Sequence, residues 1–193
     1  MKNISKVVIG TWPLSGDLGR IDKRNVYKIL EYCAKVGFTE FDTAPNYGKG
    51  FMESCLGDVF GDDNNILINT KCGNSVNNIK DFGRSALSES LDSSIRRLQR
   101  DSVHSLFLRN PRAELNDYGP VLDFFQKEKN SGRITHGGLS AAKNYNYKFS
   151  QYKEMDALQD DVNLLFLDGM LRYKTKNNCF YARSPLATGI LSG

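Results

Sequence analysis

Short apolar runs alternate with longer amphipathic segments along this chain. Residues 7–9 and 38–41 are such runs, rich in branched or aromatic side chains. Between them, residues 25–36 place Val26, Leu30 and Cys33 at helical spacing. Runs of the first kind are typical of buried strands, and the second pattern is typical of a helix with one apolar face. Because parallel strands need a crossover between them, strictly alternating strands and helices predict β/α units on a parallel sheet.

The same alternation continues to the end of the chain. It predicts helices at 25–36, 51–60, 85–98, 118–129 and around 147–154, and strands at 7–9, 38–41, 66–68, 103–108, 134–139, 158–164 and 179–182. No linker or change in composition interrupts the series, so residues 1–193 are expected to form one α/β domain.

Composition excludes several classes of function. The net charge of +4 is spread along the chain, which suits an anionic ligand such as a dinucleotide but not a nucleic-acid binder. The densest basic run, 96–100, ends a predicted helix, where cations favour the helix dipole. The cysteines lack C-x-x-C spacing, so neither a metal site nor a disulfide framework is expected. No apolar stretch is long enough to span a membrane, and we expect a cytoplasmic protein.

Polar side chains stand where predicted strands end. In a β/α barrel, the carboxyl ends of the strands converge on the face that carries the active site. A single polar residue there could simply begin a loop, but a series of them favours a site. The series consists of Asp42, Lys71, Arg109, Ser140 and Ser184.

Two of these residues, Asp42 and Lys71, together with Tyr47, suit the reduction of a carbonyl group. Such a reaction needs a proton donor and stabilisation of the charge that builds on the oxygen. Tyr47 follows Asp42 in the same loop, after a turn at Pro45-Asn46 that can point it back. A cation such as Lys71 favours the ionised form of a tyrosine, and a carboxylate such as Asp42 holds that cation in place.

Residues 41–57, FDTAPNYGKGFMESCLG, resemble the FDTA-x-x-YG…E-x-x-LG signature of the aldo-keto reductases. Further segments resemble other motifs of that family, in the family's order: Gly10-Thr11-Trp12, Asn69-Thr70-Lys71, residues 90–101, 131–140 and 159–163, and the terminal ARSPLATGILSG.

The resemblance implies a TIM-type (β/α)8 barrel, here incomplete with about seven β/α units. It also implies reduction of an aldehyde or ketone to an alcohol by NADPH, with NADH as an alternative cofactor. The partner is then a small-molecule carbonyl substrate. Tyr47 would be the general acid, tuned by Lys71 and Asp42, with Arg109 beside them. The residues expected to bind the cofactor are Gly10, Thr11, Trp12, Asp42, Ser140, Gln159, Arg183, Ser184 and Leu186.

Within that set the resemblance gives individual roles. The segment from Gly10 to Trp12 would lie by the nicotinamide ribose or line the mouth. Ser140 and Gln159 would bind the carboxamide, and Arg183 would sit against the nicotinamide. Backbone N–H groups from Ser184 to Leu186 would approach the pyrophosphate.

The sequence departs from the family pattern at the fourth strand, where Arg109 stands in place of a histidine. An arginine there could stabilise an oxyanion, bind an acidic substrate or favour the tyrosinate, or it could pair with Asp42 and disable the site. His104 and His136 lie within strands and are expected to be core or bottom-face residues instead. Ala141 replaces an asparagine and would cost one cofactor hydrogen bond, about 1 kcal/mol.

The family's eighth strand and its segment for the adenosine phosphate are not found before Gly193. The sequence is therefore expected to be either a fragment or a degenerate member that covers its open edges by self-association. A non-catalytic binding or regulatory protein of the same shape is the alternative to an enzyme. Another TIM-barrel enzyme, such as a phosphate-sugar isomerase, lacks motif support.

Overall fold

Seven parallel strands form one sheet, in chain order from β1 to β7. The computed structural model describes residues 7–111, 115, 117–141, 154–165 and 179–192. The strands are β1 (Ile9–Gly10), β2 (Glu40–Asp42), β3 (Leu67–Cys72), β4 (Val103–Arg109), β5 (Ile134–Ser140), β6 (Ala157–Asp161) and β7 (Cys179–Arg183). The predicted parallel β/α arrangement is confirmed.

Helices cover the outer face of the sheet. They are α1 (Lys23–Lys35), α2 (Phe51–Phe60), α3 (Arg84–Leu98) and α4 (Gly119–Asn130). Asp22 caps α1 by accepting a hydrogen bond from the N–H of Arg24 at 2.8 Å. No helix in the described ranges is long and apolar enough to cross a membrane. The helix predicted around 147–154 falls outside the described residues except for its last position, which lies in a turn.

The sheet is curled like a barrel wall, as contacts between distant strands show. Neighbouring strands lie about 4.8 Å apart, so β2 and β6 would be separated by roughly 19 Å in a flat sheet. Instead, Gln159 of β6 donates a hydrogen bond to Asp42 of β2 at 3.0 Å. The rings of Phe107 in β4 and Tyr181 in β7 meet edge to face at 5.5 Å. These contacts, which cross the concave side, confirm an incomplete β/α barrel.

The main hydrophobic core lies between the sheet and the helices. Leu30 of α1, Leu56 of α2 and Leu91 of α3 are fully buried. Phe41 of β2 and Phe60 of α2 pack with ring centroids 5.0 Å apart. Burial of this apolar face is what holds the helices against the strands.

Strand β6 is shorter than predicted. The apolar residues up to Leu164 led us to expect a strand to that position, but it ends at Asp161. The side chain of Asn163 accepts a hydrogen bond from the N–H of Leu165 at 3.0 Å, which turns the chain away. Leu164 is consequently 79% exposed. A local side-chain hydrogen bond outweighs the apolar pattern here.

Helices α2 and α3 cross at a glycine. A Cβ atom added to Gly57 would lie 2.3 Å from the carbonyl oxygen of Arg97 and 2.8 Å from the carbonyl carbon of Leu98. Both of these are backbone atoms, so a side-chain rotation cannot relieve the clash. This close approach requires glycine and sets the position of the helix that follows the Tyr47 loop.

Gly57→Ala is therefore expected to lower the free energy of unfolding by about 2 kcal/mol, because the crossing must open to admit a methyl group. Urea denaturation followed by circular dichroism measures the change. Gly119→Ala is the matched control, since Gly119 is exposed in the first turn of α4 and its added Cβ would meet only the Asp117 side chain. Equal effects of the two substitutions would contradict this account of the crossing.

Candidate active site

The carboxyl ends of β2 to β6 bring a set of polar side chains to one edge of the sheet. Strand register pairs Arg109 with Ser140, and Ser140 with Gln159. Asp42 ends β2, and Lys71 lies next to the end of β3. The predicted residues of these strands therefore lie together on the concave side and its rim, which we call the mouth.

A buried ion pair forms the centre of the mouth. The ammonium of Lys71 donates to Asp42 Oδ1 at 2.6 Å and to the carbonyl oxygen of Thr43 at 2.7 Å. Lys71 is only 1% exposed. A charge this deeply buried requires a partner, and Asp42 supplies it. The position of the lysine is thus fixed by two acceptors on the β2 side.

Two cationic side chains lie close to Tyr47. Its loop turns back through a hydrogen bond from the Tyr47 N–H to the carbonyl oxygen of Ala44, 3.0 Å. The Lys71 ammonium is 5.0 Å from the centroid of its ring, and the Arg109 guanidinium carbon is 5.2 Å from it. Arg109 Nη1 also donates to the phenolic oxygen at 3.4 Å. Two cationic side chains therefore lie close to the Tyr47 ring, and one of them reaches its hydroxyl.

A chain of side-chain hydrogen bonds links β5, β6 and β2. Ser140 Oγ donates to Gln159 Oε1 at 2.9 Å, and Gln159 Nε2 donates to Asp42 Oδ2 at 3.0 Å. All three side chains are buried or nearly so. The carboxylate of Asp42 is consequently held by Lys71 on one oxygen and by Gln159 on the other.

The sequence leaves open whether Arg109 pairs with Asp42, and the hydrogen bonds of Asp42 answer this. Arg109 does not pair with Asp42, whose two oxygens are engaged by Lys71 and Gln159. It contacts Tyr47 instead. The aspartate–lysine pair is therefore intact, and the arginine acts on the tyrosine side of the mouth.

The segment after β1 also meets Asp42, through its backbone. Thr11 is fully buried, and both its N–H and its hydroxyl donate to the carbonyl oxygen of Asp42, at 2.9 and 3.0 Å. A Cβ added to Gly10 would meet no atom within 4 Å, so the space beside it is open. Trp12 is partly exposed, and its Nε1 donates to Asp17 at 3.1 Å.

The end of β7 contributes a second polar group to the same edge. Arg183 pairs with Asp161 at 3.0 Å and donates to the carbonyl oxygen of Ala141 at 2.7 Å. Ser184 Oγ donates to Asp161 at 2.7 Å. Leu186 is exposed in the turn that follows. These predicted cofactor residues thus border the mouth near β5 and β6.

The two histidines lie away from the mouth. His104 and His136 are near the amino ends of β4 and β5, with their rings edge to face at 4.9 Å. Burial lowers the pKa of His104, and His136 lowers it further. As expected from the sequence, neither replaces the family's active-site histidine.

Glu53 is a functional candidate that the sequence analysis missed. It is fully buried in α2, accepts from Thr70 Oγ1 at 2.6 Å and accepts from Arg97 Nε at 2.7 Å. Thr70 precedes Lys71 in β3, so this pair anchors the strand that carries the lysine. Glu53 is the glutamate of the E-x-x-LG part of the signature, which could have singled it out. That motif does not indicate which side chain pairs with Glu53. Arg97, which we assigned only to the helix dipole, is that partner.

The buried pair Ser140–Gln159 fits a nicotinamide carboxamide. A carboxamide needs one donor for its oxygen and one acceptor for its nitrogen. The hydroxyl of Ser140 and the oxygen of Gln159 supply these at the mouth, where they now bond each other.

Within the described residues no group of three or more His, Cys, Asp or Glu side chains could hold a metal ion.

Comparisons with known proteins agree with this architecture. Residues 6–193 match the family model described as the Aldo/keto reductase family. An uncharacterized oxidoreductase of Bacillus subtilis is 26% identical over 98% of this chain and 67% of its own length. The glycerol dehydrogenase of Gluconobacter oxydans superposes with a TM-score of 0.83 at 21% identity, over 97% of this chain and 62% of its own.

A holo aldo-keto reductase of Bacillus halodurans is similar to the same extent. It superposes with a TM-score of 0.81 at 20% identity, over 96% of this chain and 64% of its own. The chain thus spans about two thirds of the length of these relatives.

Glu53→Gln is expected to lower the free energy of unfolding by about 3 kcal/mol, because it leaves the largely buried Arg97 charge without a partner. Urea denaturation measures the loss. Asp58→Asn on the same helix breaks the exposed pair with Lys23 and should cost less. A Glu53→Gln protein as stable as the Asp58→Asn protein would show that the buried pair is unimportant.

Proposed function

This chain belongs to the aldo/keto reductase family, and we propose from that premise that it is an oxidoreductase that reduces an aldehyde or ketone to an alcohol with a nicotinamide cofactor. The observation that carries the proposal is the position of Tyr47, whose hydroxyl accepts a hydrogen bond from Arg109 and whose ring centroid lies 5.0 Å from the ammonium of the Asp42-bound Lys71. Asp42, Tyr47 and Lys71 also occur in the order of the family's motifs, whereas Arg109 replaces the family's histidine.

The tyrosine is the proposed proton donor. As the carbonyl oxygen of the substrate gains negative charge, the Tyr47 hydroxyl donates its proton to that oxygen. The phenolate that remains is stabilised by the nearby positive charges of Lys71 and Arg109. Asp42 keeps the lysine in place, so that it need not reorganise during the reaction. When bound, the reduced nicotinamide supplies the hydride to the carbonyl carbon.

The proposed cofactor contacts follow the edge of the sheet. Ser140 and Gln159 hold the carboxamide and so fix which ring face meets the substrate. The open space beside Gly10 would admit the ribose, with Thr11 and Trp12 bordering it. Arg183 would border the nicotinamide, and the turn with Ser184 and Leu186 would approach the pyrophosphate. The preference for NADPH over NADH rests on the family resemblance.

Tyr47→Phe tests the proposal. The substitution should reduce NADPH-dependent turnover of a panel of aldehydes at least a hundredfold, because it removes the proton donor. Loss of NADPH absorbance measures the rate. Tyr32→Phe is the control, since Tyr32 is exposed on α1, and its rate should match that of the unaltered chain.

Two outcomes would contradict the proposal. Turnover that persists in Tyr47→Phe would show that another group donates the proton. Cofactor binding without turnover in the unaltered chain, combined with turnover in Arg109→His, would identify a non-catalytic binding protein silenced by its arginine.

A further inference from the structure

The charge of Arg109 has no carboxylate partner in the described part of the chain. Its side chain makes one hydrogen bond there, to the Tyr47 hydroxyl oxygen at 3.4 Å. Two carboxylates of the described part of the mouth have other partners: Asp42 binds Lys71 and Gln159, and Asp161 binds Arg183. Arg109 is only partly exposed.

A half-buried cation without a counter-charge is costly unless something compensates for the lost water. The Tyr47 ring compensates in part, because the guanidinium carbon lies 5.2 Å from its centroid. Guanidinium carries five N–H donors in a plane, and among the described residues only the Tyr47 hydroxyl accepts a hydrogen bond from one of them. The remaining N–H donors and the positive charge of Arg109 are suited to binding an anion.

Among the described residues, a second cationic side chain lies near this rim of the mouth. Lys80 Nζ donates to the carbonyl oxygen of Asn110, the residue after Arg109, at 3.2 Å.

We infer that Arg109 anchors the substrate, and that the substrate is a 2-oxo acid, whose carboxylate is bonded directly to the carbonyl carbon. This inference rests on the proposed function of the site. Arginine matches a carboxylate with two parallel hydrogen bonds, a geometry that a single histidine donor lacks. Because Nη1 lies 3.4 Å from the Tyr47 oxygen, one small molecule must present its carbonyl and its carboxylate side by side.

The reaction then balances as a two-electron reduction. The carbonyl carbon gains a hydride from the reduced nicotinamide, and its oxygen gains the proton of Tyr47. The products are a 2-hydroxy acid and the oxidised nicotinamide, and the tyrosine is reprotonated from solvent. Arg109 keeps its bond to the carboxylate, which is unchanged throughout, so it orients the carbonyl toward Tyr47.

Binding of oxamate, a 2-oxo acid analogue, tests the inference without requiring turnover. Calorimetry in the presence of NADP+ should show oxamate binding at least tenfold more tightly than its uncharged ethyl ester. Arg109→Gln should abolish this preference. Arg109→Lys keeps the positive charge but loses the two parallel N–H donors of the guanidinium, so it should retain part of the preference. Arg24→Gln removes an exposed arginine from α1 and should leave the preference intact.

Equal binding of acid and ester, or a preference that survives Arg109→Gln, would overturn the inference. Turnover of phenylglyoxylate and of its methyl ester distinguishes a failure of the anion-site inference from a failure of the proposed reductase function. Oxamate binding that depends on Arg109, without reduction of either compound, supports the anion site and refutes the reductase. Reduction of the ester as efficient as that of the acid supports the reductase and refutes the anion site.

Discussion

The buried pair of Asp42 and Lys71 is the interaction on which the mouth depends. It fixes the end of β3 to the end of β2, and the second oxygen of the same carboxylate draws in Gln159 from β6. A buried ion pair contributes little net stability, but it tolerates few alternative arrangements because each charge requires its partner. The same carboxylate therefore serves both the curvature of the sheet and the placement of the candidate catalytic lysine.

The surroundings of this pair explain why the mouth suits charge on a carbonyl oxygen. Lys71 is neutralised by Asp42, whereas Arg109 meets only the phenol of Tyr47 among the described residues. Behind the lysine, Glu53 and Arg97 anchor Thr70, so β3 is held from its outer side as well. The candidate catalytic residues are thus supported from both faces of the sheet.

The sequence predicts what depends on local pattern and on the family's motifs. Helix α2 has the predicted bounds, since its apolar residues and the glycines that flank it are all local signals. Strand β6 was predicted too long because the turn made by Asn163 depends on one side-chain hydrogen bond. The partnership of Glu53 with Arg97, and the contact of Arg109 with Tyr47, join residues far apart in the chain. No periodicity or spacing specifies such contacts, so they required the structure.

The proposed reductase activity requires a bound nicotinamide, and we propose that Ser140 and Gln159 hold it at the mouth. Titration with NADPH, followed by nicotinamide fluorescence, tests it most directly. The account predicts saturable binding, weakened about fivefold by Gln159→Ala, which corresponds to the loss of one hydrogen bond. Gln126→Ala, which alters an exposed residue of α4, should bind like the unaltered chain. Absence of saturable binding, or equal affinity in Gln159→Ala, would contradict the account.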